Sequence, residues 1–151
     1  MMSFRAAPIL LLTALPASSA QADAPWPVEG LYEVTFRLEL PHLERWAIEE
    51  RKAICVSDAL PAGRIPFPPL SDNNPFSECH ARNIRKDGEQ LTYDIACGGR
   101  DAAKAQAAYV LTPHTFSGRI AMTLGAKNMT MSEVQTGHRI GGCDLAGKWP
   151  K

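Results

Sequence analysis

The sequence predicts an all-β domain with only minor helix, in which an antiparallel meander curls into a partial barrel or sandwich and is stapled by disulfides. Three observations support this prediction. Several segments alternate apolar and polar residues with a period of two, which is typical of half-buried strands. Turn signals recur about every 8 to 12 residues, as in small β domains. Four cysteines are present in the 151-residue chain, and all of them follow an N-terminal export signal.

The strands are predicted from the alternation itself. The clearest alternating segments are residues 31–40, 91–97, 115–124 and 129–140. The alanine-rich segment 105–112 would suggest a helix if it were read alone, but its tail Tyr109–Thr112 and the turn signal at Pro113 favour a strand. Near Glu133 the apolar phase slips, which predicts a β-bulge at that point.

Three further segments have less regular patterns. Residues 42–52 fit either a short helix behind Pro41 or a loop that leads into a strand at residues 53–56. Ser57-Asp58 predicts the cap of one helical turn, and Pro61 would end that turn. From Pro61 to Pro75 the chain is rich in proline and glycine, so we expect an irregular surface loop.

The four cysteines predict two disulfides. Asp87-Gly88 is a turn dipeptide midway between Cys79 and Cys97, so this stretch is interpreted as a β-hairpin. With a loop of residues 87–89, the two cysteines would lie directly opposite each other, within reach of a disulfide. Cys55 and Cys143 are then left to pair. A four-cysteine zinc site is the alternative, but no two of these cysteines have the short spacing that such sites use.

The N-terminus has the three parts of a secretory signal peptide. Arg5 precedes an apolar run from Ala6 to Leu15, and small residues follow at positions 17–22. We expect residues 1–22 to be the signal peptide, with cleavage after Ala20 or Ala22, and residues 23–151 to form a single β domain in the periplasm. The apolar run is much shorter than the roughly 20 residues that span a bilayer. The cleavage region that follows it contains no cysteine for lipid attachment, so no membrane anchor is expected.

Composition argues against nucleic acid as a partner. The chain has 16 lysines and arginines and 16 aspartates and glutamates, scattered without a charged block. No catalytic motif, phosphate-binding loop or cofactor signature is present, so no catalytic residue and no cofactor are assigned. The histidines His42, His80, His114 and His138 are not spaced as metal ligands and are interpreted as polar surface residues.

Three methionines carry the hypothesis of a copper site, because thioethers select Cu(I). Met129 and Met131 would share one face of a strand, with Met122 across from them on the preceding strand. The alternative, which we favour, is that these side chains fill the interior of the sheet. No metal ligand is therefore assigned.

Several motifs together resemble the exported, mainly proteobacterial family named domain of unknown function 3617. They are Gly30–Val34, Cys55–Ser57, Cys79 and Cys97 around the hairpin, Phe116–Gly118, Met129–Met131 and Arg139–Cys143. The resemblance covers nearly all of the chain after the signal. It implies a periplasmic location and brings no established activity.

The favoured function is that of a non-enzymatic envelope protein, either a binding module for an apolar small molecule or an accessory subunit that binds a protein partner. The candidate ligand-binding residues lie on the apolar face of the alternating strands: Phe36, Tyr93, Phe116, Ile120 and Met122. That face must be covered by closure of the sheet, by the proline-rich loop or by a bound molecule. The alternatives are a periplasmic copper-handling protein and an unrecognised hydrolase or isomerase.

Overall fold

The computed structural model describes residues 26–57, 62–72, 75–99, 102–125 and 129–144. The predicted signal peptide and the helical turn predicted after Ser57 lie outside these residues. The strands are β1 (Gly30–Glu39), β2 (Glu49–Val56), β3 (His80–Asp87), β4 (Gln90–Ala96), β5 (Lys104–Leu111), β6 (Thr115–Leu124) and β7 (Met129–Gly141). A single 3-10 turn, Glu44–Trp46, lies between β1 and β2.

All seven strands form one antiparallel sheet in the order β2-β1-β7-β6-β5-β4-β3. Strands β3 to β7 are a meander, and the β1–β2 hairpin adds to it because β1 pairs with β7. The prediction of an all-β antiparallel domain is confirmed. The sheet does not close into a barrel, since β2 and β3 remain as its two edges.

The ambiguity at residues 42–52 is resolved in favour of a strand. Only Glu44–Trp46 is helical, as a 3-10 turn, and β2 begins at Glu49. The alanine-rich segment is also a strand, β5, as its tail predicts.

The connection from β2 to β3 crosses one face of the sheet, because these strands are the opposite edges. Seven strands span about 29 Å at a spacing of about 4.8 Å, which the residues between Val56 and His80 can cover with length to spare. We call residues 62–72 and 75–79 the crossing segment. The sheet therefore has a covered face, beneath this segment, and an open face.

The core lies between the covered face and the crossing segment. Alternate residues of the strands point into it, as in β5, where every second residue from Ala105 to Leu111 is buried. Ile65, Phe67 and Phe76 of the crossing segment are buried against these residues. This arrangement follows from the period-two pattern, which puts all the apolar side chains of a strand on one side.

Two glycines give aromatic rings of the core their positions. Gly118 pairs with Tyr109, and Gly137 pairs with Phe116. A Cβ atom at Gly137 would collide with the Phe116 ring, and one at Gly118 would collide with the Tyr109 ring. Each ring thus lies over the glycine of the next strand. A residue with a side chain at that position would exclude the ring.

The disulfides join Cys79 to Cys97 and Cys55 to Cys143, the same two pairs that the sequence predicts. Their Cα atoms are 4.5 Å and 5.4 Å apart, respectively. Cys55 lies just before the connection between the sheet edges and Cys79 lies at its end. One bridge therefore ties the end of the crossing segment to the residue after β4, and the other ties β2 to the residues that follow β7.

The predicted hairpin loop of three residues is wrong, although the cysteines do face each other. Asp87 pairs with Gln90, which leaves Gly88 and Glu89 as a two-residue loop. The extra residue is accommodated further along β3, where the register shifts between Arg82 and Arg85. Asn83 has a positive φ of 53° in this bulge. Beyond it, His80 pairs with Ala96, which places the neighbouring cysteines opposite each other.

The bulge predicted near Glu133 is also wrong. The register between β6 and β7 is continuous from Thr115 to Leu124. The irregularity in β7 lies instead at Ile140, opposite the step from Leu31 to Tyr32. The apolar phase slips near Glu133 because two polar side chains, Glu133 and Gln135, point into the core.

Candidate functional site

The predicted ligand-binding residues share the covered face and belong to the protein's interior. Phe36, Tyr93, Phe116, Ile120 and Met122 are all buried, with at most 3% of each residue exposed. Four of them lie in one core cluster, and Phe36 is buried outside it. The Lys52 ammonium group lies 5.3 Å from the centre of the Phe36 ring.

Phe67 of the crossing segment occupies the centre of this face. Its ring centroid is 4.2 Å from that of Phe116 and 4.8 Å from that of Tyr109. Of the three coverings considered for the apolar face, the proline-rich loop is the one observed. The chain's own phenylalanine fills the position where we expected a ligand.

A buried carboxylate anchors the crossing segment to the sheet. Glu133 Oε1 accepts a hydrogen bond from the backbone N–H of Leu70 at 2.7 Å, and Oε2 accepts one from Ser71 at 3.0 Å. The Gln135 Nε2 group donates to Glu133 Oε1 at 2.6 Å and to the Pro68 carbonyl at 2.8 Å. Lys52 Nζ donates to the Leu70 carbonyl at 2.6 Å. These bonds satisfy backbone groups that would be costly to bury unpaired.

Two tyrosines extend this polar network. The Tyr93 hydroxyl donates to the Phe67 carbonyl at 2.6 Å, and Tyr109 donates to Gln135 Oε1 at 2.9 Å. Burial raises the pKa of both phenols well above the ordinary value, because the interior disfavours the phenolate. Sequence reasoning missed Glu133 and Gln135, and the slip of apolar phase in β7 was the signal that could have found them.

The open face carries a groove of about 590 Å³. One row of paired residues crosses five strands beneath it: Asp94, Gln106, Ala121, Ser132 and Glu39. The complete lining is Glu39, Pro41, Glu44, Asp94, Ile95, Ala96, Lys104, Ala105, Gln106, Arg119, Ala121, Met122, Thr123, Thr130, Met131 and Ser132. Ala121, on β6, is the smallest member of the row. Sequence reasoning did not identify this groove.

A second hollow of about 550 Å³ continues the groove toward β3. The two hollows share Asp94, Gln106, Arg119 and Ala121. Asn83, the residue of the β3 bulge, donates a hydrogen bond to Asp94 at 2.7 Å. The groove volume lies in the range of about 300 to 1,000 Å³ that small-molecule sites occupy.

Charged residues of the groove are held in place by one another. The Glu39 carboxylate, 7% exposed, accepts a hydrogen bond from Arg37 at 2.7 Å and one from Arg119 at 2.6 Å. Burial alone would raise the pKa of Glu39, but the two guanidinium groups outweigh it and the pKa lies below the ordinary value. Arg119 is thus fixed across β7 while half of its side chain stays exposed. This arrangement can bind polar and charged groups of a ligand.

The methionines of the copper hypothesis differ in how far they are buried. Met122 pairs directly with Met131, yet Met122 is 3% exposed and belongs to the core cluster. Met129 is 55% exposed at the start of β7. The four histidines are exposed, and within the described ranges no three His, Cys, Asp or Glu side chains are grouped as a metal site.

In the part of the chain that the structure describes, no helix has the length and apolar character to cross a membrane. Searches of curated proteins and of solved structures found no match to this chain. One family model does match, the one described as a protein of unknown function (DUF3617), and it covers residues 27–143. Because that match spans most of the chain, from the entry into β1 to the last cysteine, this protein belongs to the DUF3617 family.

Proposed function

We propose that this chain is an exported, non-enzymatic binding protein that holds a small molecule in the groove on the open face of its sheet. The observation that supports this proposal is the difference between the two faces. The covered face is filled by Phe67, whereas the open face has a groove of about 590 Å³ that crosses five strands. A ligand can enter the groove without displacing any part of the described core.

The groove lining favours a ligand with both polar and apolar parts. Ala96 and Ala121 provide apolar surface, whereas Lys104 and Arg119 provide cationic groups. Within the described part of the chain, no hydrogen bond or ion pair occupies Lys104 Nζ. Since Arg119 is already paired with Glu39, an anionic group of the ligand would bind at Lys104, with its carbon skeleton over the alanines. This ligand differs from the wholly apolar one that the sequence suggested.

Native mass spectrometry of protein exported with its own signal peptide tests the proposal. Wild-type protein should carry a small molecule, and Ala121→Trp should lose it because the indole fills the floor of the groove. Ser117→Trp is the matched control, since Ser117 lies on the same strand and is exposed outside the groove lining. Wild-type protein without a bound mass, or an Ala121→Trp variant that keeps it, would contradict the proposal.

A further inference from the structure

The loop between β1 and β2 displays apolar side chains that the core does not use. We call residues 40–48 the β1–β2 tip. The exposed fractions are 41% for Leu40, 49% for Leu43, 68% for Trp46 and 78% for Ile48. These are four of the eight large hydrophobic residues that are exposed among those the structure describes. Scattered exposed hydrophobics need no explanation, but four within nine residues make this loop a candidate interaction surface.

The tip is a turn in which four backbone N–H groups are paired within the tip itself. The N–H of Leu43 donates to the Leu40 carbonyl at 3.0 Å, that of Trp46 to Leu43 at 2.9 Å, and that of Ala47 to Glu44 at 3.2 Å. The His42 N–H donates to Glu44 Oε1 at 3.0 Å. His42 has a φ of 66°, an uncommon conformation that the surrounding bonds hold in place.

This pairing is compatible with a lipid surface. Inside a bilayer, no water is present to bind backbone groups, so a segment that enters must satisfy them internally. The tip satisfies three of its backbone N–H groups with its own carbonyls and a fourth with its own carboxylate. Its apolar side chains can therefore leave water without exposing those donors to hydrocarbon.

The size and composition of the tip also favour lipid over a protein partner. A stable protein interface uses about 20 to 30 residues a side, and the tip is far smaller than that. The Arg45 guanidinium lies 5.1 Å from the centre of the Trp46 ring. This pair places an amphipathic ring and a cation side by side, as is common where side chains meet lipid headgroups.

We infer that the β1–β2 tip is a peripheral membrane-docking element that inserts Leu43, Trp46 and Ile48 into the interfacial layer of a phospholipid bilayer. Glu44 and Arg45 are the tip's acidic and basic residues, and their charges balance, so zwitterionic lipid is sufficient and anionic lipid is not required. The docking is reversible, because a few partly inserted side chains bind no more strongly than a single acyl chain does. The inference does not depend on a ligand in the groove.

The test is flotation of the chain without residues 1–22 on vesicles of phosphatidylcholine and phosphatidylethanolamine. Wild-type protein should float with the vesicles, with little effect of salt, and brominated lipid should quench tryptophan fluorescence. The vesicle partition coefficient of the double variant Trp46→Ser with Ile48→Ser should be lower than that of wild type by roughly tenfold or more. The matched control is Ile84→Ser with Val110→Ser, which removes exposed apolar side chains outside the tip and should change partitioning less than about twofold.

Equal thermal unfolding of both variants and the wild type shows that the comparison concerns the surface alone. The inference is overturned if wild-type protein does not float, or if the tip variant floats as well as the wild type. It is also overturned if binding needs anionic lipid and disappears with salt, since charge would then be the cause. Self-association through the tip without vesicle binding would assign this surface to a second copy instead.

Discussion

Glu133 shows how one side chain can organise a loop that has no regular structure. Glu133 is fully buried, with 0% of the residue exposed, and three hydrogen-bond donors surround its carboxylate. Two of these donors are backbone N–H groups of the crossing segment, Leu70 and Ser71. A buried carboxylate is tolerated only with such partners, and the partners in turn depend on the carboxylate.

We predict that Glu133→Ala lowers the free energy of unfolding by about 3 kcal/mol, because it leaves buried donors without an acceptor. Glu133→Gln should cost less, since its amide oxygen retains one acceptor. Chemical denaturation of both variants measures the difference. The control Glu78→Ala, at an exposed position of the crossing segment, should stay within about 0.5 kcal/mol of wild type. If Glu133→Ala also stays within about 0.5 kcal/mol of wild type, the carboxylate does not hold the crossing segment.

At the scale of the elements, the sequence predicted the strands whose inward residues are apolar and missed part of the edge. In β2 the inward positions Glu50 and Lys52 are charged, so the first half of the strand shows no alternation. Charged side chains on an edge strand hinder its pairing with a strand of another chain. A bulge has the same effect, and the other edge strand, β3, has one at Asn83. The features that protect an edge also hide it from pattern analysis.

The sequence predicted which apolar residues share a face, but it did not predict the groove. Alternation places Tyr93, Phe116 and Met122 on one face, and this prediction needs only the geometry of a strand. The residue that covers this face could not be predicted, because the crossing segment has no periodic pattern of apolar residues. The position of Phe67 over the sheet depends instead on the long-range topology of the chain. The groove on the open face was likewise missed, since its row of residues is brought together by register across five strands.

We predict that Phe67→Ala lowers the free energy of unfolding by about 3 to 5 kcal/mol, since the Phe67 ring packs on Phe116 and Tyr109 and a cavity would remain. The variant should also bind a hydrophobic dye, because the covered face becomes accessible. The control Val110→Ala, on an exposed side chain of β5, should change neither measurement appreciably. If Phe67→Ala is as stable as wild type, the crossing segment does not contribute to the core.

For the whole molecule, the three tyrosines report on folding together. Tyr32, Tyr93 and Tyr109 are each at most 3% exposed, and the pKa of each phenol is raised above 10.0, chiefly by burial. The folded state thus keeps protons that the unfolded state releases at alkaline pH. The stability that these phenols contribute is complete below the ordinary pKa of tyrosine and is lost as the pH rises above it.

We predict that phenolate absorbance of the native protein does not rise near the ordinary tyrosine pKa of 10.0. It should rise at higher pH, in one transition that coincides with the loss of the β-sheet circular dichroism signal. Protein unfolded in guanidinium provides the reference titration of freely exposed phenols. Ionisation of any tyrosine near its ordinary pKa, with the sheet signal unchanged, would contradict the burial of that ring.

The Cys55–Cys143 bridge has a mechanical consequence. The first residues of β1 pair with the last residues of β7, so tension between the two ends of the domain separates these strands one residue pair at a time. Tension then passes through the bridge and bypasses the enclosed chain, whose bridged cysteines are 88 positions apart. About 300 Å of contour length is thereby withheld from extension. In an oxidising compartment, the meander and its crossing segment can stay folded under a load that has already unravelled β1.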